Sequence, residues 1–109
     1  ALMASGFNGQ NFMFHGYLPV KKNARIQKIR EIETESYRRD QTQIFIEAPY
    51  RNMQLFNDLL QTCKDNTRLC IASDLTSPAE NIKTQIVADW KKSLPEINKV
   101  PAVFLLYHG

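Results

Sequence analysis

The stretch Gln43-Ile44-Phe45-Ile46-Glu47-Ala48-Pro49, together with Leu69-Cys70-Ile71-Ala72 downstream of it, decides the fold. Ile44, Phe45 and Ile46 are consecutive and apolar, with no polar alternation. That pattern suits a strand covered on both faces, hence an inner strand of a sheet flanked by helices. Pro49 stops the strand and can open a helix, because its fixed φ suits the first turn and its missing N–H is not needed there. Met53, Phe56, Leu59, Leu60 and Cys63 then recur at helical spacing. A short Asp65-Asn66-Thr67 turn leads into Leu69-Cys70-Ile71-Ala72, a second apolar strand. Strand, helix, strand at this spacing predicts a βαβ unit whose two strands run parallel, as neighbours or near-neighbours in one sheet.

Outward from this unit, the elements continue to alternate. Upstream, Phe12–His15 reads as a short aromatic strand and Gly16-Tyr17-Leu18-Pro19 as a loop. A helix is expected from Asn23, with Ile26, Ile29 and Ile32 or Glu33 on its inner face, and Arg38–Gln41 as a polar connection. Ala1–Gly6 reads as the tail of a helix stopped by glycine, as in a domain excised from a longer protein, a processed mature chain being the alternative. Downstream, Asn81–Thr84 suits a short edge strand. Gln85–Ser93 suits a helix with Ile86, Val87 and Trp90 turned inward and Pro95 closing it. Ala102–Tyr107 is a last, strongly apolar strand. The whole reads as an α/β domain with a mixed sheet of about five strands and helices packed on its faces.

A length of 109 residues suits one compact domain, and 43% hydrophobic with 23% charged residues excludes a disordered chain. The net charge of +3 is compatible with an anionic partner. Basic residues crowd into Lys21–Arg39 but are interrupted by Glu31, Glu33 and Glu35, which on charge alone fits a solvated helix face better than a nucleic-acid footprint. Cys63 and Cys70 match no zinc or redox spacing and read as buried free thiols. His15 and His108 have no carboxylate or serine at catalytic spacing, Trp90 reads as core, and no phosphate-cradling or metalloprotease motif is present. No metal is expected, and the apolar runs are too short to span a membrane.

Ligands of open α/β sheets gather outside the carboxyl ends of the strands. Glu47 closes one predicted inner strand and Asp74 follows the next, so both carboxylates should project from one sheet edge, either toward a polar ligand or as caps of nearby helices. Arg51 could pair with Glu47 or with an anionic substrate.

Five segments in order carry a resemblance: Ala4-Ser5-Gly6; Gly16-Tyr17-Leu18-Pro19; Ile44-Phe45-Ile46-Glu47-Ala48-Pro49-Tyr50-Arg51; Asp74-Leu75-Thr76 with Glu80; and Pro101-Ala102-Val103-Phe104-Leu105. The series resembles the C-terminal half of the tetrapyrrole (corrin/porphyrin) methylase superfamily, and within it the ribosomal RNA small subunit methyltransferase I family. Two departures point to a divergent branch. The family's Arg-Glu-Leu-Thr-Lys stretch is here Ser73-Asp74-Leu75-Thr76-Ser77, and Tyr50 stands where histidine is usual.

The resemblance implies that residues 1–109 are the C-terminal half of a two-domain, cytoplasmic methyltransferase whose N-terminal cofactor domain is absent from the chain. S-adenosylmethionine would lie between the two domains. Glu47, Ala48, Asp74, Leu75, Thr76, Pro101 and Ala102 match places that approach this cofactor. Tyr50, Arg51, Lys21, Lys22 and Arg25 would face the acceptor, with the basic segment near an RNA backbone and a ribose hydroxyl as the methylated group. A tetrapyrrole-like small molecule is the alternative acceptor, and a non-catalytic dimerisation module the alternative role. A homodimer is expected, through Phe12-Met13-Phe14 and the exposed side of the last strand near Tyr107.

Overall fold

The computed structural model describes residues 11–73, 81–92 and 101–108. Their order is β1 (Phe12–Tyr17), α1 (Lys22–Arg39), β2 (Thr42–Ile46), a 3-10 turn (Pro49–Arg51), α2 (Asn52–Thr62), β3 (Arg68–Ser73), β4 (Asn81–Ile86), α3 (Val87–Trp90) and β5 (Ala102–Tyr107). The strands form one five-stranded mixed sheet in the order β1-β2-β5-β3-β4.

β1 pairs parallel with β2, whereas β5 pairs antiparallel with both β2 and β3. β2 and β3 therefore run in the same direction, as expected of the βαβ unit, but as near-neighbours with β5 inserted between them. Phe104 sits opposite Phe45 on one side and Ile71 on the other. β5 is apolar along its length, so the central slot, where both edges are paired and polar side chains find no water, is its favourable place.

The alternation of each strand sorts its side chains onto two faces. On one face, Phe45, Leu69, Ile71, Phe104 and Leu106 are buried against Ile29 and Ile32 of α1, Leu55, Phe56 and Leu59 of α2, and Val87 and Trp90 of α3. All three described helices thus pack on the same side of the sheet. The opposite face is buried at Cys70, Ala72 and Leu105 but only half-buried at Ile44, Ile46 and Val103. The reading of β2 as a strand covered on both faces is corrected accordingly: Gln43 and Phe45 are enclosed, while Ile44 and Ile46 remain partly open.

β1 is longer than the aromatic run suggests, because it continues through Gly16 and Tyr17. Its register slips between Phe14 and Tyr17, which pair with Ile44 and Ile46. The extra residue is a bulge with Gly16 at φ 69°, a conformation open to glycine at little cost. The slip turns Leu18 onto the helix-covered face, where it is buried. This explains a Gly-aromatic-Leu-Pro segment in backbone terms: the glycine re-aims the leucine, and the proline ends the strand before α1.

At the other end, β4 takes up Gln85 and Ile86, which pair with Leu69 and Arg68. The expected helix from Gln85 to Ser93 is therefore reduced to the single turn Val87–Trp90 among the described residues. Strand pairing along the whole of β3 outcompetes a helical start that has no N-cap side chain. Trp90 is core, as expected, with its indole N–H donating to Leu69 O at 2.8 Å and its ring edge-on to Phe56. The reading of Ala1–Gly6 as a helix tail and of Pro95 as a helix stop lies outside the described residues.

Cys63 and Cys70 are free and buried, and burial pushes both thiols up from their ordinary pKa. Tyr107 lies on the central strand, is half-buried, and gives its hydroxyl to Asp40. The side of the last strand near Tyr107 is thus half-covered rather than fully exposed. Of the two expected contact patches, β1 is the more open, at Phe12, Met13, Phe14 and Tyr17. Among the described residues, no helix is long and apolar enough to cross a membrane.

Candidate functional site

The register brings the ends of four strands to one edge. Tyr17, Ile46, Val103 and Ala72 share a row across the sheet, and Glu47, Ser73 and Ala102 stand just beyond it. Because α1 and α2 run back along the sheet from this edge, both helix N-termini, the positive ends of their dipoles, lie there too. Neither carries a side-chain cap or an acidic residue in its first turn.

Glu47 is the anchor of the edge. Its side chain is 1% exposed. Oε1 accepts from Ala48 N at 2.7 Å and from Arg51 Nε at 3.2 Å. Oε2 is buried and has no hydrogen-bond partner among the described residues. A buried carboxylate oxygen left unpaired costs about 1–3 kcal/mol, which makes it a natural place for a ligand donor. Of the two options for Arg51, the pair with Glu47 is the one formed, and it raises the Arg51 pKa further above its already high value. Ala48 is half-buried, Ala102 buried and Pro101 exposed. Asp74, Leu75 and Thr76 lie outside the described residues, but Ser73, directly before Asp74, ends β3 on this edge.

Of the expected acceptor-side residues, Tyr50 and Arg51 are at the edge, in the 3-10 turn that follows Glu47. Lys21 and Lys22 are exposed at the start of α1. Arg25 is a correction. It is buried, with Nε and Nη2 each 2.6 Å from Asp58 Oδ2 and Nη1 donating to Val20 O at 3.3 Å. It ties α1 to α2, and its guanidinium is taken up by Asp58 and Val20 rather than presented to solvent. The signal was present in the spacing: Arg25 stands four and seven residues before Ile29 and Ile32, on the stripe that faces the core. The basic segment is also not one surface. α1 has 18 residues, about 27 Å of helix. Arg38 and Arg39 therefore lie at the far end from the edge, paired with Glu35.

A second polar cluster, invisible in the sequence, ties the opposite edge together. Glu33 Oε2 accepts from Lys64 N at 2.8 Å and from Thr67 Oγ1 at 2.6 Å. Since the Thr67 hydroxyl donates to Glu33, His108 Nδ1 must donate to Thr67 Oγ1, 3.0 Å away. His108 N donates to Ser36 Oγ, and His15 bonds the Gln43 side chain. Both histidines are held by structural partners, as expected, and neither faces the Glu47 edge as a base. Among the described residues, no cluster of three His, Cys, Asp or Glu could hold a metal ion.

No protein-family model matches the chain. It is 33% identical to the ribosomal RNA small subunit methyltransferase I of Buchnera aphidicola (subsp. Schizaphis graminum), covering all of this chain and 38% of that protein. It is also 33% identical to the protein of the same name in Vibrio cholerae, covering all of this chain and 37% of that one. The chain thus spans less than two-fifths of the curated relatives it matches. Among solved structures, the methyltransferase CobJ superposes with a TM-score of 0.64 at 17% identity, over 100% of this chain and 46% of that one. The Thermus thermophilus uroporphyrin-III C-methyl transferase complexed with S-adenyl homocysteine gives 0.56 at 15% identity, over 98% of this chain and 48% of that one. Sequence over the whole of this chain and fold over the same span agree: the chain is similar to part of the ribosomal RNA small subunit methyltransferase I proteins and shares its fold with about half of each of these two methyltransferase structures.

Proposed function

We propose that the Glu47 edge is one wall of an S-adenosylmethionine site in a cytoplasmic methyltransferase acting on RNA, with a ribose 2′-hydroxyl of small-subunit ribosomal RNA as the acceptor. The observation that carries this reading is Glu47 Oε2, buried and without a partner among the described residues, at a rim of small residues: Ala48, Ser73 and Ala102. Small side chains let a flat polar ligand approach the main chain, and the unsatisfied acceptor behind them suits a ligand hydroxyl or amino group. The residues present therefore fit the cofactor. When bound, it supplies a methyl group on a sulfonium. This chain's residues would hold it by Glu47 and by the main chain at Ala48 and Pro101-Ala102, with Asp74, Leu75 and Thr76 completing the wall as the resemblance implies. Lys21 and Lys22, exposed on the same edge, suit contact with phosphates. A companion domain would supply the facing wall, and rate would come mainly from aligning acceptor and methyl donor.

Titration calorimetry with S-adenosylmethionine tests the half-site. The 109-residue chain should bind more weakly than micromolar, since micromolar binding needs about −8 kcal/mol and a single wall buries too little of the ligand. A micromolar or tighter constant for this chain overturns the shared-site reading.

The same reading includes a two-fold homodimer. Phe12, Met13, Phe14 and Tyr17 are all exposed on a strand that stands at the edge of the sheet among the described residues, and such strands seek partners. Sedimentation equilibrium at micromolar concentration should show mass above the 12.6 kDa monomer. A constant monomer mass across concentrations removes the dimer for this chain.

A further inference from the structure

We infer that the Tyr50 ring is a stacking platform for a planar ring of the methyl acceptor, held in place by a brace running from Glu47 through Arg51; this rests on the methyltransferase reading of the same edge. Tyr50 is 65% exposed although it sits beside a buried carboxylate. An exposed tyrosine ordinarily samples several rotamers and loses that freedom on binding. Here the freedom is already restricted. Arg51 Nη1 bonds the Tyr50 hydroxyl, and the guanidinium carbon lies 4.6 Å from the ring centroid, within the range of a cation–π contact. Arg51 is itself fixed by Nε to Glu47 Oε1 at 3.2 Å and by its main-chain N–H to Ala48 O at 2.8 Å. Three side chains in succession, from enclosed to exposed, thus aim one aromatic face at solvent.

The guanidinium covers one face of the ring and leaves the other for a ligand. Among the described residues the two side-chain contacts of Arg51 employ Nε and Nη1, so Nη2 is the nitrogen left to meet an anion beside the stacked ring. The ligand chemistry is therefore a planar heteroaromatic ring with an adjacent anionic group. A nucleotide of single-stranded RNA supplies it as base and phosphate. A tetrapyrrole supplies it as macrocycle and carboxylate. Lys21 and Lys22 on the same edge favour the polyanion, and RNA recognition commonly stacks splayed bases on aromatic rings. Glu47 and Arg51 act here as positioning residues for Tyr50.

The test uses the 109-residue chain with two probes: a single-stranded RNA decamer carrying 2-aminopurine, and uroporphyrin. Fluorescence titration reads both the dissociation constant and the quenching that accompanies stacking. Tyr50→Ala should weaken decamer binding about tenfold and abolish the 2-aminopurine quenching, as expected when one base loses its aromatic partner. Tyr50→Phe keeps the ring and should keep the quenching, with only a few-fold loss. Arg51→Lys should reduce the quenching by freeing the ring while retaining the charge. Unchanged circular dichroism shows that each variant is folded. Tyr50-dependent binding of uroporphyrin but not of RNA keeps the platform and overturns RNA as the acceptor. If neither probe shows a Tyr50-dependent signal, whether because it does not bind or because Tyr50→Ala binds as the parent does, the inference is overturned.

Discussion

Replacing Asp58 by alanine should destabilise the domain by about 3–5 kcal/mol, the usual cost of leaving one charge of a buried pair without its partner. The Asp58 and Arg25 side chains are each only 5% exposed, and the two groups meet at 2.6 Å. The alanine variant leaves the Arg25 guanidinium enclosed between α1 and α2 with only the Val20 carbonyl as acceptor. Against a total stability of about 5–15 kcal/mol for a domain of this kind, that loss should move the urea midpoint far toward zero. Lys22 also reaches Asp58, at 3.7 Å, but its side chain is 63% exposed. Lys22→Ala should therefore change the midpoint little. Replacing both Arg25 and Asp58 by apolar residues of similar volume should recover much of the loss, since neither charge is then stranded. Equal effects of the Asp58 and Lys22 substitutions would show that the pair is not an enclosed tie.

Phe104→Ala should cost a comparable amount, about 3–5 kcal/mol, for a different reason. Phe104 is fully buried on the central strand, opposite Phe45 and Ile71 at once. Its ring lies parallel to that of Phe45 with centroids 5.7 Å apart. Truncation opens a cavity that two flanking strands, held by hydrogen bonds on both sides, cannot collapse to fill. Phe14→Ala is the matched control: the same chemical change at a ring 58% exposed on the edge strand should change the unfolding free energy by no more than about 0.5 kcal/mol. A Phe104 variant as stable as the Phe14 variant would place the core elsewhere.

The candidate edge was legible in part. Glu47 followed a strand whose end the proline marked, so its place beyond that end could be read directly, and its pairing with Arg51 was one of two options open. What could not be read was that Oε1 is consumed by Ala48 and Arg51 while Oε2 is enclosed with no partner among the described residues, because that depends on the path of the 3-10 turn. The error at Arg25 came from treating Lys21–Arg39 as a charge run. Charge runs describe composition, whereas a helix distributes its residues around an axis, and the stripe through Arg25, Ile29, Ile32 and Ser36 is the one that faces the core. The Glu33–Thr67–His108 cluster had no local signal at all. Its members come from α1, the turn before β3 and the end of β5, and only the packing of all three brings them together.

By itself the sequence determined the strand–helix–strand unit from Gln43 to Ala72, the apolar last strand, the burial of Trp90 and both cysteines, and the resemblance to the ribosomal RNA small subunit methyltransferase I proteins. These are consequences of hydrophobic periodicity, backbone-restricting prolines and the order of short motifs, all of which act over a few residues. Tertiary structure alone decided the insertion of β5 between β2 and β3, the extension of β4 into the expected helix, the bulge at Gly16 that turns Leu18 inward, and the enclosure of Arg25 against Asp58. Each depends on pairing between segments far apart in the chain. Its free energy comes from hydrogen bonds and buried area that exist only once the partners have met, and no window of adjacent residues contains both halves of such a contact.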